Sequence, residues 1–522
     1  MTGQKEALVQ RLWMVWLATA GILASGCGAT HPVVSEPAFN IAAHLAAADA
    51  LVARGCLDCL HEALTEYLHV IDAQPASTVA IEGATRSKLL IEVREHELGL
   101  PARISAAVPG SLDATSPNTR DMMTVAAAIS GRSQDARLVL RNPNDWAQRL
   151  RAQGSTNMTA AYLWLALVCG PSGTSIPDRD DRTTIEAEAA HVPLLAYKLA
   201  VSCAFRDRAA LDAVATQEPR FTNEIAYWLG LTALSGQPQI NGPGGLPDLD
   251  AADAHFADAY AWRQDWPPVT LALANIALTA EDFPRATDFY DKTLALRPDD
   301  ADAFIGKIRA LTYQNRPADA VAAADELLTM NRNPGEARYW RAYNELQLDR
   351  LDAAWDDIEA SGNALVNADV PKLAGLIAIR QHRLETARER LQLSLTRRAT
   401  DCDTWFYFQA VQVEQQDWKE AVASTASAAS CLDSQQSALV REIARQRGEP
   451  PSARRDRQMA RREADLSSAL RMRATAWFNG VVANVNIANG DEARRLAEKL
   501  TDDSQFGARA RTVLQQLNRP IP

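Results

Sequence analysis

Six alanines, Ala252, Ala286, Ala320, Ala354, Ala387 and Ala421, recur along the 522-residue chain at steps of 34, 34, 34, 33 and 34. Three residues before each stands an apolar side chain: Leu249, Phe283, Pro317, Leu351, Leu384 or Trp418. Four residues after stand Phe256, Tyr290, Ala324, Ile358, Leu391 and Thr425, mostly apolar again. Offsets of three and four share one helical face, so each alanine marks a buried stripe. About 34 residues hold two short antiparallel helices and their turns. A small residue recurs where two helices approach closely at their crossing. No single pair buries its apolar face alone, so neighbours must stack. The spacing predicts an all-α chain built as an α-solenoid of stacked antiparallel helix pairs.

The pattern resembles the tetratricopeptide repeat family. That motif carries an aromatic residue sixteen before the alanine, a small residue twelve before, an aromatic four after and proline twelve after. Phe304 and Trp405 match the first position, Ala274, Ala342 and Gly375 the second, Phe256 and Tyr290 the third, and Pro298 the fourth. Thr270 replaces the aromatic and Gln409 the small residue in two copies. The resemblance covers residues 221–431 and implies a superhelix of helix pairs. It carries over no function, because the repeat is a scaffold and not a site.

An outlying copy at 44–75 centres on Ala63, with Leu60, Tyr67 and Pro75 in place. Around it, residues 40–220 read as helical without a clear register. A final copy and capping helix occupy 471–518, with Trp477 sixteen before Ala493. Such caps shield the end of a stacked core. Residues 432–470 read as an arginine-rich charged linker or helix, broken in two by Pro450-Pro451. Its arginines, among them Arg441, Arg454, Arg457, Arg461 and Arg462, are interleaved with acids, as on a solvated surface or a basic docking face.

Residues 1–28 read as an export signal, with Lys5 and Arg11 before an apolar run at 12–24 that is short for a membrane span. Leu23-Ala24-Ser25-Gly26-Cys27 resembles the lipobox of bacterial lipoproteins, with Ala24 where leucine is usual. The resemblance implies an acylated Cys27 as mature N-terminus, followed by a tether at 29–39. An ordinary cleaved secretory peptide is the alternative. Gly28 after the cysteine is compatible with outer-membrane sorting by the same resemblance. The expected location is the bacterial envelope, lipid-anchored and facing the periplasm. A net charge of −11 argues against nucleic acid as a partner.

The other six cysteines fall into three neighbourhoods: Cys56 with Cys59, Cys169 with Cys203, and Cys402 with Cys431. An even number suits an oxidising compartment. Cys402 opens one helix and Cys431 closes its antiparallel partner, so their ends should meet. A long polar loop separates Cys169 from Cys203. Cys56-x-x-Cys59 reads as a stapled turn, a redox pair or half a zinc site, with only His61 near as a further ligand.

No histidine pair has metal-ligand spacing. The glycines at 242–245 lack the spacing and lysine of a phosphate loop. No enzyme, cofactor or metal is expected. The expected function is a scaffold or adaptor in envelope assembly, secretion or pilus biogenesis, taking a protein or peptide on a concave surface of first helices. Lys307, Arg338 and Arg341 lie beside the apolar seam of adjacent first helices and are the expected partner contacts, a solvated surface being the alternative. The other reading is a SusD-like lipoprotein capturing a glycan, for which only the insert 236–248 offers a loop.

Overall fold

The computed structural model describes residues 39–101, 116–131, 139, 141–153, 157–168, 187, 192–203, 208–235, 247–362 and 365–517. Cys27 and the signal segment, residues 29–38, Cys169, residues 236–246 and the side chain of Cys203 lie outside these.

Among the described residues every regular element is helical. The N-terminal part runs α1 (Ile41–Arg54), α2 (Leu57–Ala73), α3 (Thr78–Leu98), α4 (Pro117–Ile129), α5 (Pro143–Arg151), α6 (Met158–Val168), α7 (Pro193–Lys198) and α8 (Arg208–Gln217). A π-helical turn, Leu199–Cys203, continues α7. Helix pairs follow: α9 (Thr222–Ser235) with α10 (Leu249–Trp262), α11 (Pro267–Thr279) with α12 (Phe283–Leu296), and α13 (Ala301–Tyr313) with α14 (Pro317–Thr329). Next come α15 (Pro334–Gln347) with α16 (Leu351–Gly362), α17 (Asp369–Arg380) with α18 (Leu384–Arg397), and α19 (Cys402–Glu414) with α20 (Trp418–Arg447). The chain closes through α21 (Ala453–Asn486), α22 (Gly490–Glu498) and α23 (Gly507–Leu517). None of these helices is long and apolar enough to cross a membrane.

The repeat alanines all lie in second helices and are fully buried, as are Ala63 and Ala493. The turns from α11–α12 to α19–α20, and the turn between α21 and α22, are equally regular. Glu281, Asn315, Asp349, His382, Gln416 and Ala488 adopt φ between +56° and +61°. Each stands five residues before a repeat alanine. The residue after each closes a ring onto the preceding helix: Asp282 N–H to the Ala277 carbonyl at 2.8 Å, and Asp417 N–H to that of Gln412 at 2.9 Å. This Schellman closure satisfies carbonyls that the helix end would orphan. Glycine is the unstrained residue at such a position, and none of the six is glycine.

The first helices α11, α13, α15, α17, α19 and α21 touch one another in succession, whereas successive second helices stand further apart. The more closely spaced layer is the inside of a curve, so first helices line the concave side. Close approach explains Gly306, where a Cβ would lie 2.1 Å from Cζ of Tyr290.

The N-terminal helices join the array without a seam, because one apolar core runs from Ala48 to Ile276. At its centre the fully buried Arg94 bonds Glu224 and the Gly55 carbonyl, and its guanidinium lies 4.5 Å over the Tyr197 ring. Glu224 also accepts from the Leu57 N–H at 2.8 Å. A buried charge survives only when paired in this way.

Residues 432–470 take the helical of the two forms expected. α20 continues through the end of its repeat to Arg447, and α21 starts at Ala453, so only the turn 448–452 around Pro450-Pro451 interrupts the helix. The two long helices pack along each other as an antiparallel hairpin.

Candidate interaction surface

The concave side of α15, α17 and α19 carries a group of aromatic and charged side chains. Tyr339 and Tyr343 are four residues apart and share a face of α15. Trp340 meets both rings, with centroids at 5.4 Å and 5.9 Å, and meets Tyr313 at the end of α13 at 6.4 Å. Phe406 and Tyr407 stand in the same way on α19, centroids 5.4 Å apart. From α17 between them, Lys372 Nζ reaches Asp401 at 3.1 Å and Asp403 at 3.3 Å.

These groups converge. Burial, then Asp403, raises the pKa of Tyr407, Lys372 opposes the rise, and Tyr343 adds to it although α17 lies between the two helices. Side chains of α15 and α19 that influence each other across α17 lie on one side of the first-helix layer. Tyr339 is likewise raised, by burial first and then by Asp369. Burial opposes ionisation of Asp401, but the Thr404 amide and Lys372 hold its carboxyl below the usual range. The result is a half-buried face of rings, phenolic hydroxyls and a fixed ammonium, able to grip apolar side chains and orient a backbone.

The residues expected from sequence to meet a partner are Lys307, Arg338 and Arg341. Lys307 pairs with Asp291 at 2.7 Å. Arg341 forks onto Asp357 at 2.5 and 2.7 Å and reaches Asp325 at 2.6 Å. The three aspartates belong to second helices, so both cations face the layer behind the concave surface and tie repeats together. Arg338 is half-buried and makes no ion pair among the described residues.

Cys56 is joined to Cys59 with Cα atoms 4.9 Å apart, and Cys402 to Cys431 at 5.3 Å. Cys56 also caps α2, accepting the Cys59 N–H at 3.0 Å. The structure brings together one group that sequence spacing hides: His44 Nδ1 lies 2.5 Å from Glu66 Oε2, with His69 beside them.

Stacked pairs with first helices inside and Schellman turns in register define the class: the chain is an α-solenoid of tetratricopeptide type. No protein-family model matches the sequence, and no curated protein matches it. Among solved structures it is similar to YrrB, a TPR protein with an unusual peptide-binding site, at 17% identity over 44% of this chain and 100% of that one, with a TM-score of 0.33. PilW, a type IV pilus biogenesis factor, is similar at 17% identity over 41% and 92%, with a TM-score of 0.34. A chain of an APC/C hetero-tetramer matches 92% of this chain and 97% of its own, at 10% identity and a TM-score of 0.39. These likenesses concern the fold alone.

Proposed function

We propose that this chain is an adaptor that holds a protein or peptide partner against the concave face of its first helices. The observation that carries the reading is the convergence of Tyr339, Tyr343 and Tyr407 with Lys372 from α15, α17 and α19. Aromatic anchors give large contact area for little lost side-chain entropy, and such residues dominate binding energy at interfaces. An extended segment with apolar side chains fits this lining. The test is a Tyr343→Ala, Tyr407→Ala double variant, crosslinked and purified from its native envelope beside the wild type. Partners recovered with the wild type should be lost, while amide exchange in the second helices α16 and α18 is unchanged. Recovery of every partner by the variant would sink the adaptor reading.

The envelope part of the proposal rests on residues 1–28. Cys27 carries the lipid, residues from 29 form the tether, and the array works at the outer membrane on the periplasmic side in assembly, secretion or pilus biogenesis. The two disulfides suit that compartment. Cys27→Ala is expected to shift the protein from the membrane fraction to a soluble or unprocessed form. Correctly cleaved variant that still sediments with membranes refutes the lipid anchor. The glycan-capture reading rests on the insert 236–248, of which 236–246 lie outside the described residues, and is not carried further.

A further inference from the structure

The arginine-rich hairpin is an arm with a destination. Residues 432–447 project past the end of their repeat by about 24 Å at 1.5 Å per residue. The returning helix is held alongside by Arg447–Glu463 at 3.0 Å and Arg473–Asp433 at 2.8 Å. At the tip, Arg454 lies 2.9 Å from Asp250 and Arg457 lies 3.3 Å from Asp282. Arg457 Nε also donates to the Ala280 carbonyl at 3.4 Å, and Arg462 stands 4.0 Å from Glu281. The Arg461 guanidinium covers the Tyr313 ring at 5.3 Å. Asp250 opens α10, while Ala280, Glu281 and Asp282 form the turn between α11 and α12. An arm that grows from the sixth pair therefore returns to the first three.

We propose that Asp250, Glu281, Asp282 and Tyr313 form a docking edge for an arginine-bearing helix, and that residues 454–462 of this chain are its resident occupant. The arm clasps the mouth of the concave face, and its Arg461 covers the outermost ring of the aromatic group described above. Partly exposed ion pairs of this kind are individually modest and screened by salt, so the clasp releases without unfolding the array. That the clasp controls a partner's access to the concave face rests on the adaptor reading; its existence does not.

The test is the Arg454→Glu, Arg457→Glu, Arg462→Glu variant of the full chain, studied by amide exchange and small-angle scattering. Exchange at 279–283 should rise about tenfold and the particle should expand, with wild type doing the same in molar salt. A charge-swapped chain that spares Asp282, the N-cap of α12, and pairs Arg454→Glu with Asp250→Arg and Arg462→Glu with Glu281→Arg should close again, which separates release from misfolding. Unchanged exchange and size in the triple variant, or failure of the swap to restore them, overturns the clasp. If the clasp opens while the Tyr343→Ala, Tyr407→Ala variant keeps every partner, the adaptor reading fails and the clasp stands.

A different observation carries a second site. His44 on α1 and Glu66 and His69 on α2 each offer one donor atom, all within 4.8 Å of one another. Phe39 stacks on the His44 ring at 4.3 Å and His69 meets it edge-on at 6.0 Å, which restrains both imidazoles. Two imidazoles and a carboxylate are a ligand set for zinc or a neighbouring first-row ion, with further positions left to water. We infer that these residues bind such a divalent ion between the first two helices. Calorimetric titration of the full chain with zinc chloride should show one site, weakened at least about tenfold in both His44→Ala and His69→Ala. Absence of binding by the wild type, or equal binding by the folded variants, overturns it.

Discussion

Replacing Gly306 with alanine sets close helix approach directly against helix propensity. In an isolated helix the change favours folding by about 1 kcal/mol. Here the new Cβ would stand 2.1 Å from Cζ of Tyr290 and 2.4 Å from its hydroxyl. Tyr290 is fully buried and donates that hydroxyl to Asn275 at 2.7 Å. The ring must move by roughly 1 Å, and overpacking of this kind costs about 1–3 kcal/mol. Losing the Asn275 bond adds roughly 1 kcal/mol. Set against the propensity gain, Gly306→Ala should destabilise α12 and α13 by about 1–3 kcal/mol. In a Tyr290→Leu background the obstructing ring is gone, so the same substitution should become stabilising by up to about 1 kcal/mol. Native-state amide exchange is the suitable assay, because stacked repeats need not unfold together. A substitution that is neutral or stabilising with Tyr290 present, or that has one sign in both backgrounds, refutes the reasoning.

The left-handed turns predict the opposite outcome for glycine: Gln416→Gly and His382→Gly should each stabilise their pair by up to about 1 kcal/mol, read as a raised melting temperature, and a lowered one would mean the lost side chains matter more. Burial, then Asp357, raises the Glu345 carboxyl from its ordinary 4.5 to about 7, with Arg341 opposing. The folded state thus holds this proton more tightly, so its stabilising contribution is complete below pH 4.5 and is lost as pH rises through about 7. Urea titrations should show Glu345→Gln flattening that slope and exceeding wild type in stability at alkaline pH; parallel slopes would count against it. Non-reducing peptide mapping of exported protein should recover Cys56–Cys59 and Cys402–Cys431, whereas free thiols at these positions would contradict both bridges. Cys402→Ser should loosen α19 and α20 by up to roughly 3–4 kcal/mol in the chain-entropy account, and unchanged exchange there would argue against it.

The array was legible because alanine spacing records where helices cross, a requirement that leaves few residue types. The turns were not legible by residue type, since Glu281, Asn315, Asp349, His382, Gln416 and Ala488 share no chemistry, only a place in the register. Lys307 and Arg341 lie beside the seam as expected, yet an aspartate sixteen residues away on a neighbouring second helix claims each of them. That offset is itself a sequence regularity and a usable signal for structural pairing. Tyr339, Tyr343 and Tyr407 were visible as residue types, but which side of a first helix faces inward depends on the next first helix. The arginines of the hairpin read as a solvated surface or a docking face without a named partner, because their partners are distant, 204 residues away for Arg454 and Asp250. His44 is 22 residues from Glu66, a separation that matches no local metal motif.

Cys431 stands where α20 leaves its repeat, and its bond to Cys402 fixes that point to the start of α19. The arm beyond it is a rigid rod with a clamped pivot. A tilt of about 10° at the end of a 24 Å rod moves its tip by about 4 Å, enough to carry Arg454 and Arg457 out of ion-pair range. A stacked array distributes bending over its interfaces, so a degree or two at each of several pairs, on the order of 10° in all, delivers that tilt. The arm then behaves as a caliper closed across its own frame, and its grip measures the curvature of the whole array.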